Sequence, residues 1–193
     1  MEYEHLLDEN LSDLTNLLAA MTPAQKEIVG QIGITAANSL KNGGTVFWCG
    51  NGGSAADSLH LSAELVGRLV NNRSPLASIA LTADIAALTC ISNDFGYETI
   101  FSRQLEGLGA PGDFLISLST SGESENVIQC VKQARKMGIS SASLLGKGGG
   151  RQTKLSDFEI IVKSQKTARI QEVHKFVGHT ICQIIERELG YEN

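Results

Sequence analysis

Residues 46–67 read VFWCGNGGSAADSLHLSAELVG, and this stretch decides the fold. Thr45-Val46-Phe47-Trp48-Cys49 is an apolar run bounded by Gly43-Gly44 before and Gly50 after, the pattern of a short buried strand. The turn Gly50-Asn51-Gly52-Gly53 lets backbone N–H groups approach a ligand, because glycine has no Cβ and tolerates positive φ. Ser54 stands where a helix N-cap belongs, and a helix N-terminus favours anions. Further along that helix, His60 and Glu64 are spaced i, i+4, which puts an imidazole and a carboxylate on one face. A phosphate-type cradle therefore leads into an acid/base or metal-binding pair.

Upstream, residues 1–20 read as a helix, with Leu7, Leu11, Leu14 and Leu18 repeating on one stripe. Thr22-Pro23-Ala24-Gln25 opens a second helix with a capping box and proline in the first turn. It runs to about Leu40 and stops at Asn42-Gly43-Gly44. These helices either cover the domain or pack against another subunit. Downstream, the expected strands are Ala77–Leu81, Asp113–Leu118, Ser141–Leu145 and Phe158–Val162. Thr82 is the expected cap of a helix towards Ile91, and Asn93-Asp94-Phe95-Gly96 is a polar turn. Helices follow from about Tyr97 to Leu108, from near Glu125, and from about Ala168 to Leu189, where Gly190 ends the last. Strand–helix alternation with short apolar strands predicts an α/β fold. It is a three-layer doubly wound domain with a five-stranded parallel sheet, preceded by two helices. One domain over 1–193 is expected, with helices over 1–42 and the α/β core over 43–193. With strand order 2-1-3-4-5 the switch point lies between the first and third strands, and the loops leaving them, GNGGS and STSGES, open onto one crevice.

The 193 residues carry a net charge of −5, so the electrostatic footprint of a nucleic-acid binder is absent and a bound phosphate must be held by local geometry. The acidic start MEYEHLLDEN lacks the layout of a signal peptide, and no apolar run approaches membrane-spanning length. The four cysteines, Cys49, Cys90, Cys130 and Cys182, form no CxxC pair and read as reduced, mostly buried thiols of a cytosolic protein.

The STSGES loop offers the hydroxyls of Ser119, Thr120, Ser121 and Ser124 at a helix N-terminus, which binds a phosphate monoester without a lysine. The bland reading is a serine-rich turn with one N-cap. No GxxxxGK[ST] is present, which excludes a nucleotide-hydrolysing P-loop. Gly50 to Ala55 matches GxGxxA, but the acidic residue that dinucleotide binding needs after the second strand is missing. The last helix adds Gln171, His174 and His179. Gln171 and His179 are roughly 12 Å apart along a helix axis, so they share a ligand only by reaching inwards from both ends or across a subunit contact. Glu64 has an alternative role as the i, i+4 ion-pair partner of Arg68.

CGNGGSAADSLHLSAELVGR, NDFG, STSGESENVI, LLGKGGG and ARIQEVHKFVGH, in that order, resemble the sedoheptulose 7-phosphate isomerases (phosphoheptose isomerases) of the sugar-isomerase (SIS) domain superfamily. The resemblance covers nearly the whole chain. It implies conversion of sedoheptulose 7-phosphate to D-glycero-D-manno-heptose 7-phosphate through an enediol, the first step towards the nucleotide-activated heptose of bacterial lipopolysaccharide. It also implies a cytoplasmic homotetramer with sites at subunit contacts, and one zinc per subunit held by His60, Glu64, Gln171 and His179. Such an isomerisation needs a base at carbon and a group that moves protons between the oxygens, and the roles expected on that ground are Glu64 for the first and His179 for the second. The substrate-binding positions the resemblance implies are Asn51, Gly52, Gly53, Ser54, Glu64, Arg68, Asn93, Asp94, Ser119, Thr120, Ser121, Ser124 and Gln171. A related branch binds a replication initiator and lacks the acid/base pair; a phosphosugar-sensing module is a further alternative. Ala55-Ala56 and Ala168 stand where some relatives carry polar residues, a departure that bears on substrate preference.

Overall fold

The computed structural model describes residues 3–191. Helix α1 (Glu4–Ala19) turns Leu14, Leu17 and Leu18 towards the core but leaves Leu6, Leu7 and Leu11 exposed. The first residues of the helix expected over 1–20 lie outside the described ones. Helix α2 (Pro23–Lys41) begins on the expected capping box: the Gln25 N–H donates to the Thr22 hydroxyl, and the Thr22 N–H donates to Gln25 Oε1.

Strand β1 (Val46–Gly50) then enters the centre of a five-stranded sheet and leads into α3 (Gly53–Val66). The remaining elements alternate: β2 (Ser78–Ala80), α4 (Ile85–Phe95), a 3-10 turn (Tyr97–Thr99), α5 (Ser102–Leu108), β3 (Phe114–Ser119), α6 (Glu125–Lys136), β4 (Ser140–Gly146), a second 3-10 turn (Gly150–Gln152), β5 (Phe158–Val162) and α7 (Thr167–Glu188). The sheet order is β2-β1-β3-β4-β5 and every pair is parallel, as the alternation predicted.

Although β1 is apolar throughout, its side chains divide between two cores because successive residues face opposite ways. Val46 and Trp48 join Ile116, Leu144 and the helices α2, α3 and α7, whereas Phe47 and Cys49 join Leu115, α5 and α6. The stripe Ile170, Val173, Val177, Ile181, Ile185 seals α7 onto the first core, all buried at helical spacing. Each such side chain contributes about 1.5–3 kcal/mol of burial.

Three local expectations are corrected. Ser54 is not the N-cap of α3; Gly52 is, and Ser54 sits buried inside the first turn. Gly52 adopts φ +55, which glycine tolerates, and its carbonyl already accepts from the Ala55 and Ala56 N–H groups. Thr82 does not cap α4; Asp84 does, its carboxylate accepting from the Ala87 N–H. The helix then runs through Asn93, Asp94 and Phe95 instead of turning there, and Gly96, at φ +89, ends it.

Candidate active site

Two loops leave neighbouring strands at the switch point and face each other. The β1 loop presents Asn51 and Gly52 at the head of α3, and the β3 loop presents Thr120–Ser124 at the head of α6. Both helix heads carry backbone N–H groups and partial positive charge suited to an anion. The hydroxyl oxygens of Ser119 and Ser121 accept from the N–H groups of Gly122 and Glu123, so they shape the loop. Gly122 has φ +66, and a Cβ there would lie 1.9 Å from the carbonyl oxygen of Gly149, so only glycine lets the GKGGG loop lock against STSGES.

Glu123 and Glu125 flank this anion cradle, and as free carboxylates they would repel a phosphate. Arg151 pairs with both, at 2.8 Å and 2.9 Å. Its hydrogen bonds hold the Glu123 carboxyl below its ordinary pKa. For Glu125 the hydrogen bond from Gln129 is the largest cause of lowering and Arg151 adds to it. Beside the cradle opens a cleft of about 490 Å³ lined by Asn51, Gly52, Thr82, Ser92, Asn93 and Tyr97. Asn93 thus reaches the cleft, while Asp94 stays off its wall and accepts from the Asn93 amide at 2.7 Å.

The second cluster lies along the seam between α3 and α7. A Cβ on Gly178 would strike Leu61, so glycine allows the helices to approach closely. There His60 Nε2 lies 2.8 Å from His179 Nε2 and 3.3 Å from Glu64 Oε1. Burial, with the charge of His60, keeps His179 below its ordinary pKa, although Glu64 pulls the other way. A neutral imidazole able to give or take a proton is the result. One ligand atom from each of His60, Glu64 and His179 lies within 4.8 Å of the others. Nitrogens on a tetrahedral zinc sit about 3.3 Å apart given the usual Zn–N bond, so the donor set fits zinc after a small adjustment.

Gln171 is not brought to this trio by the spacing of α7. Its amide lies over Gly53, where a Cβ would come within 2.4 Å of Nε2, so it borders the cradle at the head of α3. The expected Glu64–Arg68 helix pair is absent: α3 ends at Val66, Arg68 leaves the helix, and Glu64 faces His60.

Four residues of this region were not singled out from the sequence. Asn126 and Tyr97 hydrogen-bond to Asn51. Arg151 closes the β3 loop, and Arg73 donates to the carbonyls of Glu64 and Leu65 while pairing at 2.6 Å with a fully buried Glu186. Asn126 lay inside the STSGESENVI motif and was within reach of sequence reasoning; Arg73 left no signal.

Residues 10–146 match the SIS domain family. The chain is 48% identical to the phosphoheptose isomerase of Campylobacter concisus, over 92% of this chain and 90% of that protein. It is 50% identical to that of Akkermansia muciniphila, over 83% and 85%. The solved phosphoheptose isomerase of Neisseria gonorrhoeae superposes with a TM-score of 0.85 at 36% identity, covering 96% of this chain and 97% of the other. With the cradle at the switch point and the His–Glu–His cluster further along α3, these likenesses place the chain in the SIS domain family, among the phosphoheptose isomerases.

Proposed function

We propose that this chain interconverts sedoheptulose 7-phosphate and D-glycero-D-manno-heptose 7-phosphate, opening the route to nucleotide-activated heptose for lipopolysaccharide. The names of its relatives support the substrate. The observation that carries the chemistry is the convergence of Glu64 with two imidazoles further along α3, the helix whose head forms part of the phosphate cradle.

Aldose–ketose isomerisation needs a proton taken from the carbon next to a carbonyl and returned to its neighbour, with a second proton moved between the oxygens. Glu64 is assigned the carbon and His179 the oxygens, where its lowered pKa leaves it neutral near pH 7. The cradle holds the phosphate and so fixes which carbons reach Glu64. Asn51, Gly52, Gly53 and Ser54 on one loop and Ser119, Thr120, Ser121 and Ser124 on the other are its assigned contacts, with Asn93, Asp94, Gln171 and Arg68 around the sugar. His60, Glu64 and His179 are the assigned holders of a zinc ion, which would polarise the carbonyl, with Gln171 joining them only across a subunit contact because within one chain it borders Gly53.

Glu64 lies eleven residues along α3 from Gly53, roughly 16 Å at the helical rise. The two helices that carry the trio also expose apolar side chains, Leu59 and Val66 on α3 and Phe176 on α7. Both features support an assembly in which a neighbouring copy completes the site, and the resemblance makes that assembly a cytoplasmic homotetramer. The reading as an initiator-binding, non-catalytic relative is not favoured, because Glu64 and His179 are both present.

The test is NMR of sedoheptulose 7-phosphate incubated with the purified protein, with Glu64→Gln in parallel. An aldoheptose 7-phosphate formed by wild type alone is the expected result. No product from wild type with added zinc sinks the isomerase reading, and product from the variant sinks the role of Glu64.

A further inference from the structure

The two loops of the cradle are joined by a pair of carboxamides. Asn51 Nδ2 donates to Asn126 Oδ1 at 2.8 Å, and Asn126 Nδ2 donates back to Asn51 Oδ1 at 2.9 Å. The Val127 N–H also donates to Asn126 Oδ1, at 2.9 Å, which fixes which end of the Asn126 amide is oxygen and hence the orientation of Asn51. Tyr97 completes the group by donating its hydroxyl to Asn51 Oδ1 at 2.8 Å. Asn126 is only 2% exposed, so water does not replace a lost partner there.

After these bonds Asn51 keeps one free N–H for a ligand, and its oxygen is fully committed. The geometry points to a positioning role for Asn126, which nothing above assigns: its carboxamide sets the separation of the GNGGS and STSGES loops and holds Asn51 with that N–H facing the cleft. Asn126 itself is buried and committed to three bonds within the protein. The phosphate then meets two helix heads already at a fixed spacing. This rests on the phosphosugar reading of the cradle.

Asn126→Asp tests it with little change of volume. When ionised, the new carboxylate offers no donor, so it faces Asn51 Oδ1 with a second acceptor and opens the pair. When protonated, its O–H restores the donor, so the defect reverses on acidification. Binding of inorganic phosphate is read by calorimetry from pH 5 to 8, beside KM and kcat for the sugar phosphate. Inorganic phosphate reports on the cradle even if the heptose is not the substrate.

The expected result is phosphate affinity and KM weakened about tenfold at pH 8, relative to wild type at the same pH, and recovered towards pH 5, with kcat within about threefold. Asn126→Leu should show the same loss without recovery, and Tyr97→Phe a smaller one. Asn126→Asp matching wild type across the range overturns the proposal. So does a loss that does not recover with acid, or one that falls on kcat and thermal stability while phosphate binding is untouched. Phosphate bound by wild type without heptose turnover would overturn the substrate and leave the positioning role to the Asn126→Asp result.

Discussion

Helices α3 and α4 each follow a strand on the same side of the switch point, yet the chain treats them in opposite ways. α3 is only moderately apolar and buries Ser54, Asp57, Ser58 and Ser62 along with Leu61 and Leu65. α4, IAALTCISNDF, is the more apolar of the two and has no buried residue, with Ile85 74% exposed. Ser58, Ser62 and Asp57 go inside because each finds a partner. Ser58 bonds the Ser54 carbonyl, Ser62 joins Ser78 and Trp48, and Asp57 pairs with Lys175. Burial follows satisfied hydrogen bonds and packing, whereas α4 packs only Leu88 and Ile91 against the core and leaves Ile85 exposed. α3 is thus a fixed scaffold, and the exposed face of α4 is a second candidate contact for the proposed neighbouring copy, beside the apolar residues of α3 and α7.

The sharpest way to break this contrast is at the outward face of α3. Glu64→Gln should lower turnover about 10²- to 10⁴-fold while the thermal midpoint stays put, because Glu64 makes no core contact that glutamine cannot mimic. A matching loss of stability would mean that α3 is not a scaffold independent of its chemistry. Next is the strut under its C-terminal end. Arg73→Met takes the charge partner from the buried Glu186, leaving it only the Leu69 and Val70 N–H groups, and should cost about 3–5 kcal/mol in urea unfolding; the double change with Glu186→Gln, which keeps an acceptor for those groups, should regain part of it. If the single variant unfolds like wild type, the strut does not hold the seam.

The partner helix α7 adds a pH arm. Burial pushes the His174 imidazole down to about 4. The unfolded chain binds a proton near the ordinary value of about 6.5, before the folded one does. Stability contributed by keeping this imidazole neutral is therefore complete above pH 6.5 and is lost as pH falls towards 4, by about 3 kcal/mol. His174→Gln, which retains a donor for the Leu145 carbonyl, should flatten that part of the curve in denaturant titrations; an unchanged slope places the proton elsewhere. The smallest effect on the fold belongs to α4. Ile85→Asp should change urea stability, read at concentrations where wild type is monomeric, by less than about 0.5 kcal/mol, since its side chain is largely outside the core. The mass by light scattering should nevertheless drop. An intact assembly in that variant would remove α4 from the contact.

The sheet was legible because each strand is an apolar run closed by glycine or polar residues; Phe158–Val162 was bounded to the residue. The capping box at Thr22 was legible because its two hydrogen bonds are local. What misled were residues whose local preference was outvoted. Asn93 and Asp94 suit a turn, but the helix capped by Asp84 continues until Gly96 stops it. Ser54 suits an N-cap, but Gly52 reaches a backbone angle that serine avoids. The approach of His60 to His179 could be suspected from residue type and resemblance. The position of Gln171 over Gly53 could not, because it depends on where two helices cross. Arg73 was invisible because its partners lie up to 113 residues away.

The lock between Gly122 and Gly149 has a kinetic consequence. With Arg151 tying Glu123 and Glu125 beside it, the STSGES loop is held in place before any sugar arrives. Capture is then governed by encounter. A dianion approaching a chain of net charge −5 is slowed at long range, and dissolved salt, by shielding that repulsion, quickens its arrival, the reverse of the usual response of a phosphate-binding protein.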